Sequence, residues 1–188
     1  MGSRGGDVMA RVPQITGRDD LPAGSRYVAD QVNTVFGRIR GPFSVLLHSP
    51  ELAERLLPMV PFTREKTVVE GPLRSTGILA GVREKDSAYV WAAQVNAARV
   101  NGLREAVIDV LRVRGDPAGL APEERDVVIY ARQLTLAGKV EQSAFDALHD
   151  RHGTKWLVEL TAIVGFYGAL CGVVNAFEVP APEDGDRF

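Results

Sequence analysis

The chain is poor in sulfur and histidine and has no charge excess of either sign. A single Cys among 188 residues excludes an intrachain disulfide framework, a CxxC redox pair and Cys-rich zinc sites. It fits a reducing, cytoplasmic setting. Three scattered His leave any metal site to carboxylates, and neither metal nor cofactor is expected. With 22 Lys+Arg against 24 Asp+Glu, the net charge of -2 argues against a broad nucleic-acid footprint. The N-terminal residues lack the 7–15-residue apolar run of a secretory signal. What remains is an ordinary soluble composition, 45% hydrophobic and 7% aromatic, long enough for one domain with a sizeable core.

Long apolar runs are also scarce, with one exception. Leu160 through Phe177 is 18 residues without a charge, at the lower limit for a membrane span. Thr161, Asn175 and three glycines interrupt it and no second span accompanies it, so no membrane partner is expected. The run reads as a core helix, or as one completed by a partner subunit. Gly165, Gly168 and Gly172 fall roughly on one face and offer close helix–helix approach.

Helical periodicity fills the space between two tails. Residues 1–25, rich in Gly, Asp and Arg, read as a mobile tail with a short extended piece at Val12–Ile15. Residues 179–188, with two prolines and an acidic cluster, read as a second tail. Between them lies a helical domain over 26–178. Tyr27, Val28, Val32, Val35 and Phe36 recur at three- and four-residue steps. Gly41-Pro42 interrupts, a short helix covers 43–47, and Ser49-Pro50-Glu51 caps another. Further helices are expected over 71–84, where Gly77 and Gly81 weaken the pattern, and over 87–101, ending at Gly102. The stripe Leu103, Val107, Ile108, Leu111 marks the next one. Pro122-Glu123-Glu124 opens a helix running to Gly138. Ser143 to His149 and Lys155 to Phe177 complete the series. No strand alternation is sustained, and the fold class is all-α.

Three blocks resemble the carboxymuconolactone decarboxylase superfamily, which includes the alkylhydroperoxidase-D-like proteins. They are Gly41-Pro42-Phe43 through His48-Ser49-Pro50, Leu73-Arg74 through Tyr89-Val90-Trp91 to Gly102-Leu103, and Leu157–Leu160 through Phe166-Tyr167 to Pro180. With the Pro122–Arg125 helix start, the likeness spans roughly residues 40–182. It implies an alkylhydroperoxidase-D-like helical bundle and assembly into trimers or hexamers. It also implies cofactor-free chemistry on a small-molecule substrate in a pocket at subunit contacts.

The family's active-site residues are replaced. The peroxidase-like branch carries Glu, Cys, Cys and His where this chain has Ser75, Ser87, Val90 and Gln94. Disulfide-cycle peroxide reduction needs an attacking and a resolving sulfur, so it is disfavoured. The decarboxylase-like branch reads Tyr-Glu-Trp-x-x-His, and here the same helix reads Tyr89-Val90-Trp91-Ala92-Ala93-Gln94. The aromatic frame is kept without the acid and the imidazole.

Each candidate has two readings. Gln94 is a substrate-orienting amide or a polar core residue. Tyr89, Trp91 and Tyr167 wall a pocket with polar tips, or pack the core. Ser75 anchors a ligand, or bonds its own helix. His48 is a proton carrier near neutral pH, or a junction residue bonded to backbone. Arg83 and Glu84, placed by the resemblance near the pocket mouth, hold or protonate an acidic substrate, or belong to a solvated turn. His149 and His152 lie at a charged helix end and read as solvated structure. Cys171, among apolar neighbours, reads as an inert small hydrophobe. The leading expectation is a decarboxylase-like lyase in which Gln94, Tyr89 and Trp91 orient the substrate and His48 or Glu84 supplies the proton. The alternative is a non-catalytic, homo-oligomeric ligand-binding member.

Overall fold

A computed structural model describes residues 9–188, and among these it contains helices and turns but no strand. Nine helices follow in order: α1 (Arg26–Phe36), α2 (Pro42–Leu46), α3 (Pro50–Leu56), α4 (Met59–Pro61), α5 (Gly71–Glu84), α6 (Ala88–Val100), α7 (Glu105–Arg112), α8 (Pro122–Ala137) and α9 (Gln142–Ala176). The all-α expectation holds, and most boundaries fall within a residue or two of those the periodicity sets. One turn of π-helix, Phe62–Lys66, continues α4. Ser49 and Ser87 occupy the N-cap positions of α3 and α6, but neither side chain makes a capping hydrogen bond.

α5 is the central element. Every residue from Leu73 to Val82 is buried, because α5 packs against α6, α8 and α9 at once. Its glycines make this possible. A Cβ on Gly77 would lie 2.8 Å from Leu160 Cδ1, and one on Gly81 would lie 3.1 Å from Val164 Cγ1. The residues that weaken α5 as an isolated helix therefore bring it against α9. Gly165, Gly168 and Gly172 do the opposite of what their spacing predicts, since no atom lies within 4 Å of a Cβ built on any of them. The close helix–helix face belongs to α5, while the α9 glycines look onto open space.

α9 is long and apolar enough to cross a membrane, yet half of its most apolar window is buried within this chain. Leu160, Ile163 and Cys171 are fully buried, whereas Val158 is 60% exposed. The helix is thus buried on one side only. At Gly153 the backbone breaks helical geometry with φ 81°, ψ 172°. This conformation strongly favours Gly, and it separates the short segment holding His149 from the long apolar one. Tyr130 and Thr161 join hydroxyls across α8 and α9 at 2.7 Å.

Neither expected tail is free where the structure describes it. Residues 1–8 of the N-terminal tail lie outside the described residues. From residue 9 onward the chain packs: Ile15 and Leu21 are buried, and Ile15 N–H donates to Ser44 O at 2.9 Å. Arg11 N–H donates to Phe177 O at 2.9 Å, and its guanidinium pairs with Glu178. The C-terminal segment, non-helical as its prolines require, also folds back. Val179 is buried, and Asp186 is fixed by Arg99 and Arg112. Three ion pairs and three apolar anchors override the polar composition that suggested mobility.

Candidate functional site

A cavity of about 470 Å³ opens between α1, α2, the α4 end, α5, α6 and α9. Its walls are mostly apolar, including Phe36, Phe43, Val60, Ile78, Val90 and Leu170. Apolar walls with a few placed polar groups are the usual make-up of a small-molecule site. The polar groups here are three arginines (Arg40, Arg64, Arg74), two tyrosines (Tyr89, Tyr167) and the short side chains of Thr63, Ser75, Gln94, Asn96 and Asn101. Among the described residues, no Asp, Glu, His or Cys lines it. The cavity is therefore cationic.

Arg74 is the most telling of these groups. It sits on α5 at 9% exposure and donates to Val69 O at 3.0 Å. Burial pulls its pKa below the ordinary arginine value, and the charge interaction opposing this comes from Tyr167. Among the described residues it has no carboxylate partner. A guanidinium taken out of water without a counter-charge is costly, and an anionic ligand relieves that cost. Arg64, at the exposed rim, lies over the Phe36 ring with 5.1 Å to its centroid.

The tyrosines take their positions from the fold. Tyr89 is the second residue of α6, and its ring lies against Gly41, the residue before α2. Burial raises its phenol pKa, against the nearby charges of Arg40 and Arg38. Tyr167 is buried on α9. Burial raises its pKa too, against the pull of Thr63 and the charges of Arg64 and Arg74. Both phenols carry their protons at neutral pH. Asn101, after α6, donates from Nδ2 to Ser75 Oγ at 3.1 Å and ties the two walls together.

Four of the eight sequence candidates meet in this cavity: Ser75, Tyr89, Gln94 and Tyr167. The other four do not line it. His48 is exposed, and its Nε2 lies 2.8 Å from Pro13 O, so it is a junction residue joining the N-terminal segment to the α2–α3 turn. Glu84 is enclosed between Arg114 at 3.1 Å and Arg132 at 3.2 Å. Arg83 donates to Arg112 O at 2.8 Å and pairs with Asp86 at 2.5 Å. The run 83–86 is thus no pocket mouth: Lys85 and Asp86 form an exposed turn, while Arg83 and Glu84 join an arginine–carboxylate network. Trp91, fully buried, lies on the side of α6 covered by the C-terminal segment. Tyr89 and Gln94 line the cavity and Trp91 does not, its indole being engaged by Asp186.

Two histidines resolve simply. His149 lies 3.0 Å from Thr154 Oγ1, and His152 stacks on Trp156 with centroids 4.0 Å apart. Among the described residues no group of three or more His, Cys, Asp or Glu could hold a metal ion. Cys171 is buried outside the cavity, and burial pushes its thiol up to about 11. The cavity arginines escaped the sequence reading, although one signal was present. Arg74 is a lone cation amid small and apolar residues in a helix that has to be buried.

Comparison with known proteins adds the fold. No family model matches the chain, and no curated protein matches it. A solved structure from Ralstonia eutropha, an alkylhydroperoxidase AhpD core described as an uncharacterized peroxidase-related protein, is similar at TM-score 0.75. The match covers 93% of each chain at 18% identity. The bundle therefore has the alkylhydroperoxidase-D-like fold.

Proposed function

We propose that the cavity binds a small, oxygenated carboxylic acid, and that the protein is a decarboxylase-like lyase working without a cofactor. The observation that carries this reading is the buried Arg74 guanidinium, unpaired in a cavity lined by two further arginines and no carboxylate. Such a site attracts an anion and rejects a neutral analogue. The proton donors first expected, His48 and Glu84, are engaged elsewhere, so the role falls to Tyr167.

In this reading the substrate carries a carbonyl or lactone next to the carbon bearing the carboxylate. The C–C bond to the carboxylate breaks, CO₂ leaves, and the electron pair moves into the carbonyl as an enolate. Arg74 stabilises that oxygen, and Gln94 orients it by hydrogen bonding. The Tyr167 phenol then gives its proton to carbon and regains one from water. The mostly apolar wall strengthens each of these interactions. The peroxidase description of the fold neighbour does not transfer, because thiol cycling requires sulfurs that this cavity lacks.

A second reading, binding without turnover, is favoured by one observation: the cavity lining contains no imidazole or carboxylate. Calorimetry and CO₂ release on a panel of β-oxo acids and α-carboxylactones separate the two. Binding with CO₂ release that disappears in Tyr167→Phe supports the lyase. Binding without release from any member supports the carrier. If methyl esters bind as well as the free acids, the carboxylate reading fails altogether.

The same proposal includes a cytoplasmic homo-oligomer. α6 leaves Ala93, Ala97 and Val100 exposed at the cavity mouth, with Val100 at 88%. We assign this apolar rim to a second copy, in a trimer or hexamer that completes the cavity. Sedimentation analysis of the native protein and of Val100→Glu tests it: a monomeric native protein removes the assignment.

A further inference from the structure

The C-terminal segment makes a contact that goes beyond packing. Asp186 side-chain oxygens accept hydrogen bonds from three directions: Arg99 Nη2 at 3.0 Å, Trp91 Nε1 at 3.3 Å, and Arg112 Nη1. Two residues on, the Phe188 ring lies under the Arg83 guanidinium, 4.0 Å from its carbon to the ring centroid. The same ring meets Trp91 edge-on, with centroids 5.6 Å apart and planes at 89°. A carboxylate and an aromatic ring are thus read together, the first by two guanidinia and an indole N–H, the second by a cation and the indole ring.

The residues that receive them are held independently of the segment. Arg83 is fixed by Asp86 at 2.5 Å and by Arg112 O at 2.8 Å. Arg99 is fixed by Glu105 at 2.5 Å. Trp91 is held by its place on α6 within the core, and the segment completes its burial. Without Asp186, the Trp91 N–H would lose its partner, and Arg112 would keep only Asp109 at 3.8 Å, itself exposed. The seat is held in place and loses one carboxylate and one ring whenever the segment leaves.

We propose that Arg83, Trp91, Arg99 and Arg112 form a second binding site, for a small arylalkanoic acid, which the chain's own Asp186 and Phe188 occupy as a tethered competitor. The site lies on the side of α6 away from the arginine-lined cavity and is independent of what that cavity binds. Ring and carboxylate are both required, because each is read by different groups. The tether gives the segment a high effective concentration, so a free ligand meets an occupied seat in the native chain and an open one when Asp186 and Phe188 are removed.

The test uses the full chain carrying Asp186→Ala and Phe188→Ala together, with 3-phenylpropionate as probe. The readout is the indole N–H resonance of Trp91 in NMR, and Trp156, bonded to Glu70, is the internal reference. We expect saturable movement of the Trp91 signal alone, at least tenfold tighter than with 3-phenylpropionamide or propionate. In the native chain the same titration is at least tenfold weaker. Binding must persist in an added Arg74→Met change, which separates it from the cavity. No movement in the folded double variant, equal affinity in the native chain, or equal affinity for the amide overturns the proposal. Should the double variant unfold, Asp186→Asn in the full chain serves instead. It keeps the shape and removes the competing charge, and absence of tightened binding there overturns the proposal equally.

Discussion

The Tyr89 ring rests directly on Gly41: a Cβ built at position 41 would lie 2.4 Å from Tyr89 Cε1, and Gly41 has φ +59°. Two separate demands thus meet in one residue. The left-handed backbone favours glycine, and the tyrosine that walls the cavity needs the space. Gly41→Ala is expected to cost about 1–3 kcal/mol by strain and displacement. It should also weaken ligand binding by moving Tyr89. Urea denaturation and calorimetry check both. Full stability with unaltered binding would show that Tyr89 has room the structure does not give it.

Arg74 should show opposite effects on stability and on binding. Replacing an unpaired buried guanidinium with an apolar chain of similar length removes a desolvation penalty. Arg74→Met is expected to leave stability unchanged or raise it by about 1–2 kcal/mol. Affinity for small carboxylates should fall at least about tenfold, or ~1.4 kcal/mol. Thermal melts with and without ligand measure the two together. A large loss of stability in the ligand-free protein would mean that Arg74 is structural.

The glycines of α5 and α9 should respond in opposite directions. Gly77 faces Leu160, Val164 and Val127, so Gly77→Leu overpacks the α5–α9 crossing and should destabilise by about 1–3 kcal/mol. Gly165 meets nothing within 4 Å, and Gly165→Ala should gain up to about 1 kcal/mol from helix propensity. Chemical denaturation of the pair settles it. A loss at Gly165 would reveal a close partner on that face of α9.

Stability should decline on the alkaline side because of Cys171. Burial raises its thiol from 9.0 to about 11, so the folded state keeps a proton that the unfolded state gives up earlier. Above pH 9 the unfolded chain binds fewer protons, and unfolding free energy falls as pH rises, levelling off near 11. The size is roughly 2–3 kcal/mol at about 1.4 per unit. Cys171→Ala should flatten this part of the profile, measured by urea midpoints between pH 8 and 11. An unchanged slope would place the titration elsewhere.

The helices were legible because their apolar spacing and punctuation are local. Pro50 and Pro122 start helices in sequence and in structure, and Gly138 follows the end of α8 in both. Half of the candidate residues reach the cavity: Tyr89 and Gln94 line it from α6, Ser75 from α5 and Tyr167 from α9. Residues judged by their chemical type alone fared worse. His48 and Glu84 carry the right functional groups, yet backbone and arginine partners distant in sequence claim them.

The sequence by itself determined the all-α class, the order and limits of the helices, and the absence of a thiol pair, since each depends on composition or on neighbours within a turn. Tertiary structure decided which glycines touch another helix, which arginines lack a counter-charge, and that the acidic C-terminal residues lie folded on Trp91. Those outcomes depend on contacts between residues such as Asp186 and Trp91, 95 positions apart. Burial and pairing of charge are properties of such contacts, and no local pattern encodes them.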